Sequence, residues 1–195
     1  MKLFPIAAAV ALSATTALAE AEKYTVDASH SQVAFSYNHA GFSTTHGLIS
    51  GFEGEVMFDQ DDPAASSVAV SIAADRLFTG WQARDDHFLK SGDFFKLGEF
   101  PLVTFTSTGI EVTGEDTALI TGDLTLNGVT KPVVLDTVLT GVFAEYPFPP
   151  FNGKPAIGFN ATGSVMRSDF DLGLYAPFVG DEIALEISIE AMKLD

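Results

Sequence analysis

The chain has no cysteine, a single tryptophan, and only 10 Lys and Arg residues against 26 Asp and Glu, for a formal net charge of −16. Each shortage excludes something. Without cysteine there is no disulfide framework, thiolate zinc site, thiol nucleophile or dithiol redox pair. Scarce cations argue against a nucleic-acid surface, because phosphate binding is built on Lys and Arg. No Gly-rich phosphate loop or G-x-S-x-G elbow occurs, and His30, His39, His46 and His87 do not stand at zinc-ligand spacings. Beyond the first twenty residues, no apolar run reaches the roughly 20 residues a membrane helix needs. With 47% apolar residues the chain is not disordered. The expectation is an acidic globular domain with neither metal nor cofactor and no transmembrane span.

The amino terminus has its own logic. Lys2 precedes an apolar run to Leu12, and small residues lead to Ala17-Leu18-Ala19, the pattern of a signal peptide cleaved after Ala19. A buried N-terminal helix is the weaker alternative. Cleavage leaves 195 − 19 = 176 residues with charge (10 − 1) − 26 = −17, exported, soluble and suited to a bacterial periplasm. A chain of this size buries about 70% of its unfolded surface and forms one domain, residues 20–195, without staples.

Period-two alternation dominates that domain. Val33, Phe35, Tyr37 and His39 share one face. So do Phe52, Val56 and Phe58; Val68, Val70 and Ile72; Val103 and Phe105; Ile120, Leu124 and Leu126; Val133, Leu135 and Leu139; Ile157, Phe159, Ala161, Val165 and Arg167; and Ile183, Leu185, Ile187 and Ile189. Eight or nine half-buried strands are predicted. Asn127-Gly128 is a two-residue hairpin signal, and residues 59–63 and 113–116 are polar turns. Many short strands joined by tight turns read as an all-β antiparallel barrel or sandwich. Thr79-Gly80-Trp81-Gln82 has the form of a capping box, which predicts a helix over 81–90 and a second helical turn over 93–97. The Pro-rich stretch 146–151 reads as a packed loop or, alternatively, as a shield over a cavity mouth.

Chemistry-bearing residues are few. Arg76, Arg84, Lys90, Lys96 and His87 form a basic locus able to hold a polar or anionic head group, unless Asp85, Asp86 and Asp93 neutralise it locally. His39 shares the parity of Phe35 and faces inward, as a polar contact or as a satisfied core residue. The 17 phenylalanines are core filler in the ordinary case. An eight-stranded barrel, however, is either filled by side chains or holds one small ligand.

Motifs spread through the chain carry a resemblance. Tyr24-x-x-Asp27-x-x-His30-Ser31 leads to Val33-x-Phe35-x-x-x-His39. Thr79-Gly80 precedes Arg84-Asp85-x-His87-x-Leu89-x-Ser91 and Asp93-Phe94-Phe95. Phe100-Pro101-x-Val103-Thr104-Phe105, Gly128-Val129-Thr130-Lys131-Pro132 and Arg167-Ser168-Asp169-Phe170 follow in order. The chain resembles the YceI family of lipocalin-like, polyisoprenoid-binding periplasmic proteins. Asp171 stands where that family usually has Gly, and residues 146–155 are longer than expected. The resemblance implies an eight-stranded antiparallel lipocalin-like barrel with a short helical segment around 80–97. It also implies an apolar tunnel, no catalysis, a homodimer, and a long-chain isoprenoid, quinone or fatty-acyl-type amphiphile as ligand. On this reading Phe35, Phe52, Phe105, Leu124 and Phe159 line the tunnel, and Phe88, Phe94 and Phe95 close one end. Arg84, His87, His39 and Arg167 are the candidates for head-group contacts. The competing readings are a packed, ligand-free barrel serving stress response or protein interaction, and a quinone-holding accessory of a membrane cytochrome.

Overall fold

The fold is described from a computed structural model covering residues 20–194. The expected signal peptide and its cleavage site at Ala19 lie outside the described residues.

Ten strands follow one another along the chain: β1 (Glu22–Val26), β2 (Gln32–His39), β3 (Ser43–Ser50), β4 (Glu53–Phe58), β5 (Ser67–Ala73), β6 (Leu102–Val112), β7 (Thr117–Leu126), β8 (Val129–Phe143), β9 (Ala156–Met166) and β10 (Glu182–Met192). One helix, α1 (Gln82–Lys90), sits between β5 and β6. All the pairings between these strands are antiparallel, and the ring closes where β1 meets β10 at Thr25↔Met192 and Val26↔Ala191.

Ten strands make an eight-stranded barrel because two of its staves are bent. β1 and β2 both pair with β10, while β3 and β4 pair with β2 and β1. Between the pairs Thr25↔Glu55 and Gln32↔Ser50, one arm advances from 25 to 32 and the other only from 50 to 55. The surplus, residues 27–31, bulges out as a corner. There the Ser31 hydroxyl replaces a missing ladder partner, accepting from the Glu190 amide at 3.1 Å and donating to the Glu190 carbonyl at 3.3 Å. Asp27 braces the bulge by accepting from the backbone and hydroxyl of Ser29. The main-chain groups of Ser29 and Glu190 are thus answered locally, which a break in a ladder requires.

The Asn127-Gly128 turn forms as expected, with positive φ at both residues (53° and 83°), the signature of a type I′ hairpin. Asn127 is 3% exposed because its side chain ties two other segments to its own turn. It accepts from the Lys96 amide and donates to the carbonyls of Phe94 and Phe170.

Helix α1 matches its predicted span to one residue, but its start differs. Trp81 is the N-cap and supplies no side-chain bond, and Gln82 reaches Asp86 rather than back to Thr79. Asp85 instead reaches back beyond the N-cap, accepting from the amide and hydroxyl of Thr79, because the chain enters the helix through Gly80 at φ 81° and carries Thr79 past the N-cap position. The second helical turn at 93–97 does not form; residues 91–94 bend and the Phe95 amide donates to the Phe88 carbonyl. Phe94 and Phe95 thereby become part of a plug.

Two packed clusters result. Tyr24, Val26, Phe52, Val56, Phe58, Ile72, Ile157 and Ala191 fill the corner. Phe94, Phe170 and Leu172, with Phe88, Phe95 and Leu124 against them, form the plug at the α1 end. Asp171 ends the short 3-10 helix Arg167–Phe170 in the left-handed region at φ 59°, a conformation that costs an Asp less than most side chains and a Gly nothing.

Candidate functional site

Between the two clusters the barrel is hollow. A cavity of about 960 Å³ runs from Gln60, Glu115 and Asp116 at one end to His39, Arg84 and Tyr175 at the other. The ten residues of β7 reach from Thr117 at the first mouth to Leu126 near the second. At roughly 3.3 Å per residue they span about 30 Å, or about 23 Å along the axis at a tilt of roughly 40°.

The wall stays open because large rings lie flat against it. Phe35 on β2 covers Gly47 on β3, where an added Cβ would stand 2.3 Å from its ring; Phe105 on β6 covers Gly122 on β7 in the same way. Each ring occupies the volume a neighbour's side chain would have taken, so it does not project into the lumen. Leu124 and Phe159 complete the set of expected wall residues, and all four are only partly buried although they point inward. Phe52 also borders the cavity but is 5% exposed and belongs to the packed corner. Val33, Val70, Ile120, Leu135 and Ile187 line it as well.

At the α1 end the rings of Phe88 and Phe94 meet at 5.0 Å, His87 meets Phe94 at 5.3 Å, and Phe94 leans on Tyr175 at 6.5 Å. Phe88, Phe94 and Phe95 all border the cavity and pack along one side of the mouth that Arg84, His39 and Tyr175 share.

The four polar candidates differ among themselves. Arg84 is partly buried; its Nε donates to the Thr79 hydroxyl at 2.7 Å and its other arm to the Thr79 carbonyl. No acidic side chain forms an ion pair with it among the described residues. His39, at the end of β2, is exposed at the mouth. His87 is spoken for by Asp93 at 3.1 Å, just as Lys90 pairs with Asp86 at 2.6 Å. Local neutralisation therefore absorbs part of the basic locus, and Arg84 escapes it.

Arg167 also borders the cavity but is engaged by the main chain. It is 7% exposed, and four of its N–H groups go to main-chain carbonyls, those of Gly180, Leu172, Leu174 and Val179, at 2.6–2.8 Å. Burial draws its guanidinium below the usual range, against the pull of Asp181 and Tyr37. With four of five donors used, Arg167 pins the β9–β10 connection at the rim. Parity had correctly turned it inward; what parity could not see is the loop that folds over it.

Two further expectations resolve here. No residue of the 146–151 loop borders the cavity, which removes the shield reading; Tyr146 stacks edge-on between Phe143 at 6.1 Å and Phe148 at 5.9 Å, while Phe148 itself is exposed. The acidic second mouth at Gln60, Glu115 and Asp116 was not anticipated, although both expected polar turns lie there. As for metals, Asp27, His30 and Glu190 bring ligand atoms within 4.8 Å of one another. Asp27 is already engaged by Ser29 and, at 2.6 Å, by His30, which gives this group its role at the corner.

Comparison with known proteins agrees with this geometry. The family model described as "YceI-like domain" matches residues 24–191. Protein YceI of Escherichia coli O17:K52:H18 (strain UMN026 / ExPEC) is 38% identical over 186 residues, covering 95% of this chain and 94% of that one. A crystal structure of the Campylobacter jejuni YceI protein superposes with a TM-score of 0.69 at 31% identity, over 81% of this chain and 90% of that chain. A polyisoprenoid binding domain from Saccharophagus degradans, implicated in plant cell wall breakdown, superposes with a TM-score of 0.65 at 14% identity, over 87% and 98%. The last likeness is one of fold.

Proposed function

This chain belongs to the family of YceI-like domains, and from that premise we propose that it is a periplasmic carrier that holds the long apolar chain of an isoprenoid or similar amphiphile in its tunnel. The observation that carries the proposal is the hollow, Phe-lined lumen of about 960 Å³, at the upper end of the size of small-molecule sites. Each methylene transferred from water to such a wall contributes roughly 0.8 kcal/mol, so a chain running the tunnel's length gains affinity with every carbon. An isoprenoid-binding fold relative and the aromatic wall support an isoprenoid tail.

The two mouths orient the ligand. A carboxylate-rich mouth at Glu115 and Asp116 disfavours an anionic or electron-rich head, while Arg84 and His39 at the other mouth offer donors to it. Arg84 is the principal head-group contact, with His39 and His87 beside it; Arg167 shapes the rim. Among the described residues that line the cavity, no side-chain hydroxyl is hydrogen-bonded to a histidine ring, which supports binding rather than catalysis.

Organic extraction of protein purified without detergent from its exported compartment, followed by mass spectrometry, tests the proposal. A stoichiometric isoprenoid or acyl amphiphile is expected. No bound lipid, together with no uptake of added isoprenoid quinone or fatty acid, overturns it in favour of an empty barrel that acts through its surface.

A further inference from the structure

Four strongly exposed aromatics of this protein gather at one end of the barrel. Phe42 is 92% exposed, Phe178 82%, Trp81 63% and Tyr175 55%. They come from three separate connections: β2–β3, the approach to α1, and β9–β10. Hydrogen bonding fastens two of these together, the Gly180 amide donating to the Asn38 carbonyl at 2.7 Å beside a His39–Val179 bridge. Trp81, Tyr175, His39 and Val179 all border the same mouth of the tunnel. The connections that carry these rings hold no charge of their own, although Arg84 stands beside them at the mouth. Residues 38–52, 77–83 and 172–180 contain no Asp, Glu, Lys or Arg, in a chain that carries 26 acidic and 10 basic residues. The opposite mouth has Glu115 and Asp116 instead.

We propose that this uncharged aromatic rim is a membrane-docking surface that seats the Arg84 mouth on a zwitterionic phospholipid bilayer, so that the tunnel opens directly onto the lipid phase. The proposal rests on the carrier reading and adds the surface from which the ligand is exchanged. Trp, Tyr and Phe side chains partition at the membrane–water interface, where an apolar ring and a polar edge are both accommodated. The charge pattern selects the occupant. A strongly acidic body approaches a lipid surface without penalty only through an uncharged face and only where that surface is not itself anionic. No helix among the described residues is long and apolar enough to cross a membrane, so contact is made by the rim and is reversible.

Trp81 is the only tryptophan and reports on the rim. In flotation with phosphatidylcholine vesicles, the wild-type chain is expected to rise with the vesicles and to show a blue-shifted Trp81 emission. Replacing part of the phosphatidylcholine with phosphatidylglycerol should weaken flotation at low salt, and added salt should restore it. The double variant Phe42→Ser/Phe178→Ser removes two exposed rings that do not line the tunnel, and its bound fraction should fall about tenfold or more. Wild-type protein that stays with the unbound fraction, or a double variant that floats equally well, overturns the proposal. So does a dimer in sedimentation whose contact hides Trp81 from a soluble quencher, since the rim then serves a second copy. Uptake of an isoprenoid quinone delivered from cyclodextrin, without vesicles, tests the carrier reading separately. Uptake without flotation defeats the docking surface alone; flotation without uptake defeats the carrier reading alone.

Discussion

The packed corner and the hollow middle of this barrel are built from the same amino-acid types on the same inward faces. At the corner Phe58 is 7% exposed, Ile72 5% and Ile157 2%. Midway along the barrel Phe35, Phe105 and Leu124 remain partly accessible although they point inward. What differs is the partner across the wall. At the corner ring meets ring, Tyr24 on Phe58 at 6.3 Å and Phe58 on Phe159 at 5.9 Å, because bent strands fold the wall toward itself. In the middle ring meets glycine, Phe35 on Gly47 and Phe105 on Gly122. Hydrophobicity decides which way a side chain points. The size of its cross-strand neighbour decides whether the space ahead of it is filled.

The same truncation applied to both environments should separate them most. Phe170 in the plug is 2% exposed; Phe170→Ala leaves a closed cavity and should cost about 3–5 kcal/mol in denaturant titration. Phe105→Ala enlarges a void that already exists, adds no new cavity, and should cost under about 2 kcal/mol. Equal losses would mean the middle is as solid as the plug. Arg167→Met comes next. It strands the carbonyls of Gly180, Leu172, Leu174 and Val179, with an expected loss of about 2–4 kcal/mol. A loss of ligand affinity with stability unchanged would instead return Arg167 to the head group.

Gly122→Ala sharpens the comparison at a single atom. The new Cβ would stand 2.3 Å from the Phe105 ring and 2.7 Å from the Thr106 carbonyl oxygen, so the ring must swing into the lumen and the β6–β7 ladder must give slightly. Overpacking of this kind costs about 1–3 kcal/mol, and the longest chain the tunnel accepts should shorten in a series of fatty acids of increasing length. Unchanged chain-length preference would show that Phe105 does not set the bore.

Much of this was legible in the residues, and the remainder was illegible for physical reasons. Alternation located the inward faces, and all the expected wall and plug residues border one cavity. Asn127-Gly128 declared its turn because few other pairs tolerate two positive φ values. Parity, however, gives a direction and not the distance to the opposite wall, so the choice between filled and hollow waited on Gly47 and Gly122. Charge marked Arg84 and parity turned Arg167 inward, yet one stands at the mouth and the other is engaged by a loop whose carbonyls leave no trace in sequence. The reach of Asp85 back to Thr79 depended on how the chain turns at Gly80, and the second mouth on where two ordinary polar turns come to rest.

The smallest expected effect concerns the corner alone. Burial works to raise the Asp27 carboxyl, but hydrogen bonds from His30 and Ser29 outweigh it and hold the group below its usual 3.8. The hydrogen bond and charge of Asp27 raise His30 above 6.5. A raised histidine contributes stability that is complete below its unfolded value and is lost as pH rises through the folded one; a lowered carboxylate contributes above its unfolded value and loses it as pH falls. Both conditions hold between 3.8 and 6.5. His30 is exposed, so the pair is worth about 0.2–1 kcal/mol. The difference in melting temperature between wild type and His30→Gln should therefore be greatest near the middle of that window and shrink on either side. A difference that stayed constant up to alkaline pH would mean that His30 acts there by shape and not by charge. Ligand affinity should not follow this titration, since neither Asp27 nor His30 borders the tunnel. An affinity that did follow it would couple the packed corner to the hollow middle, through β10, which carries Glu190 at the corner and Leu185 and Ile187 in the wall.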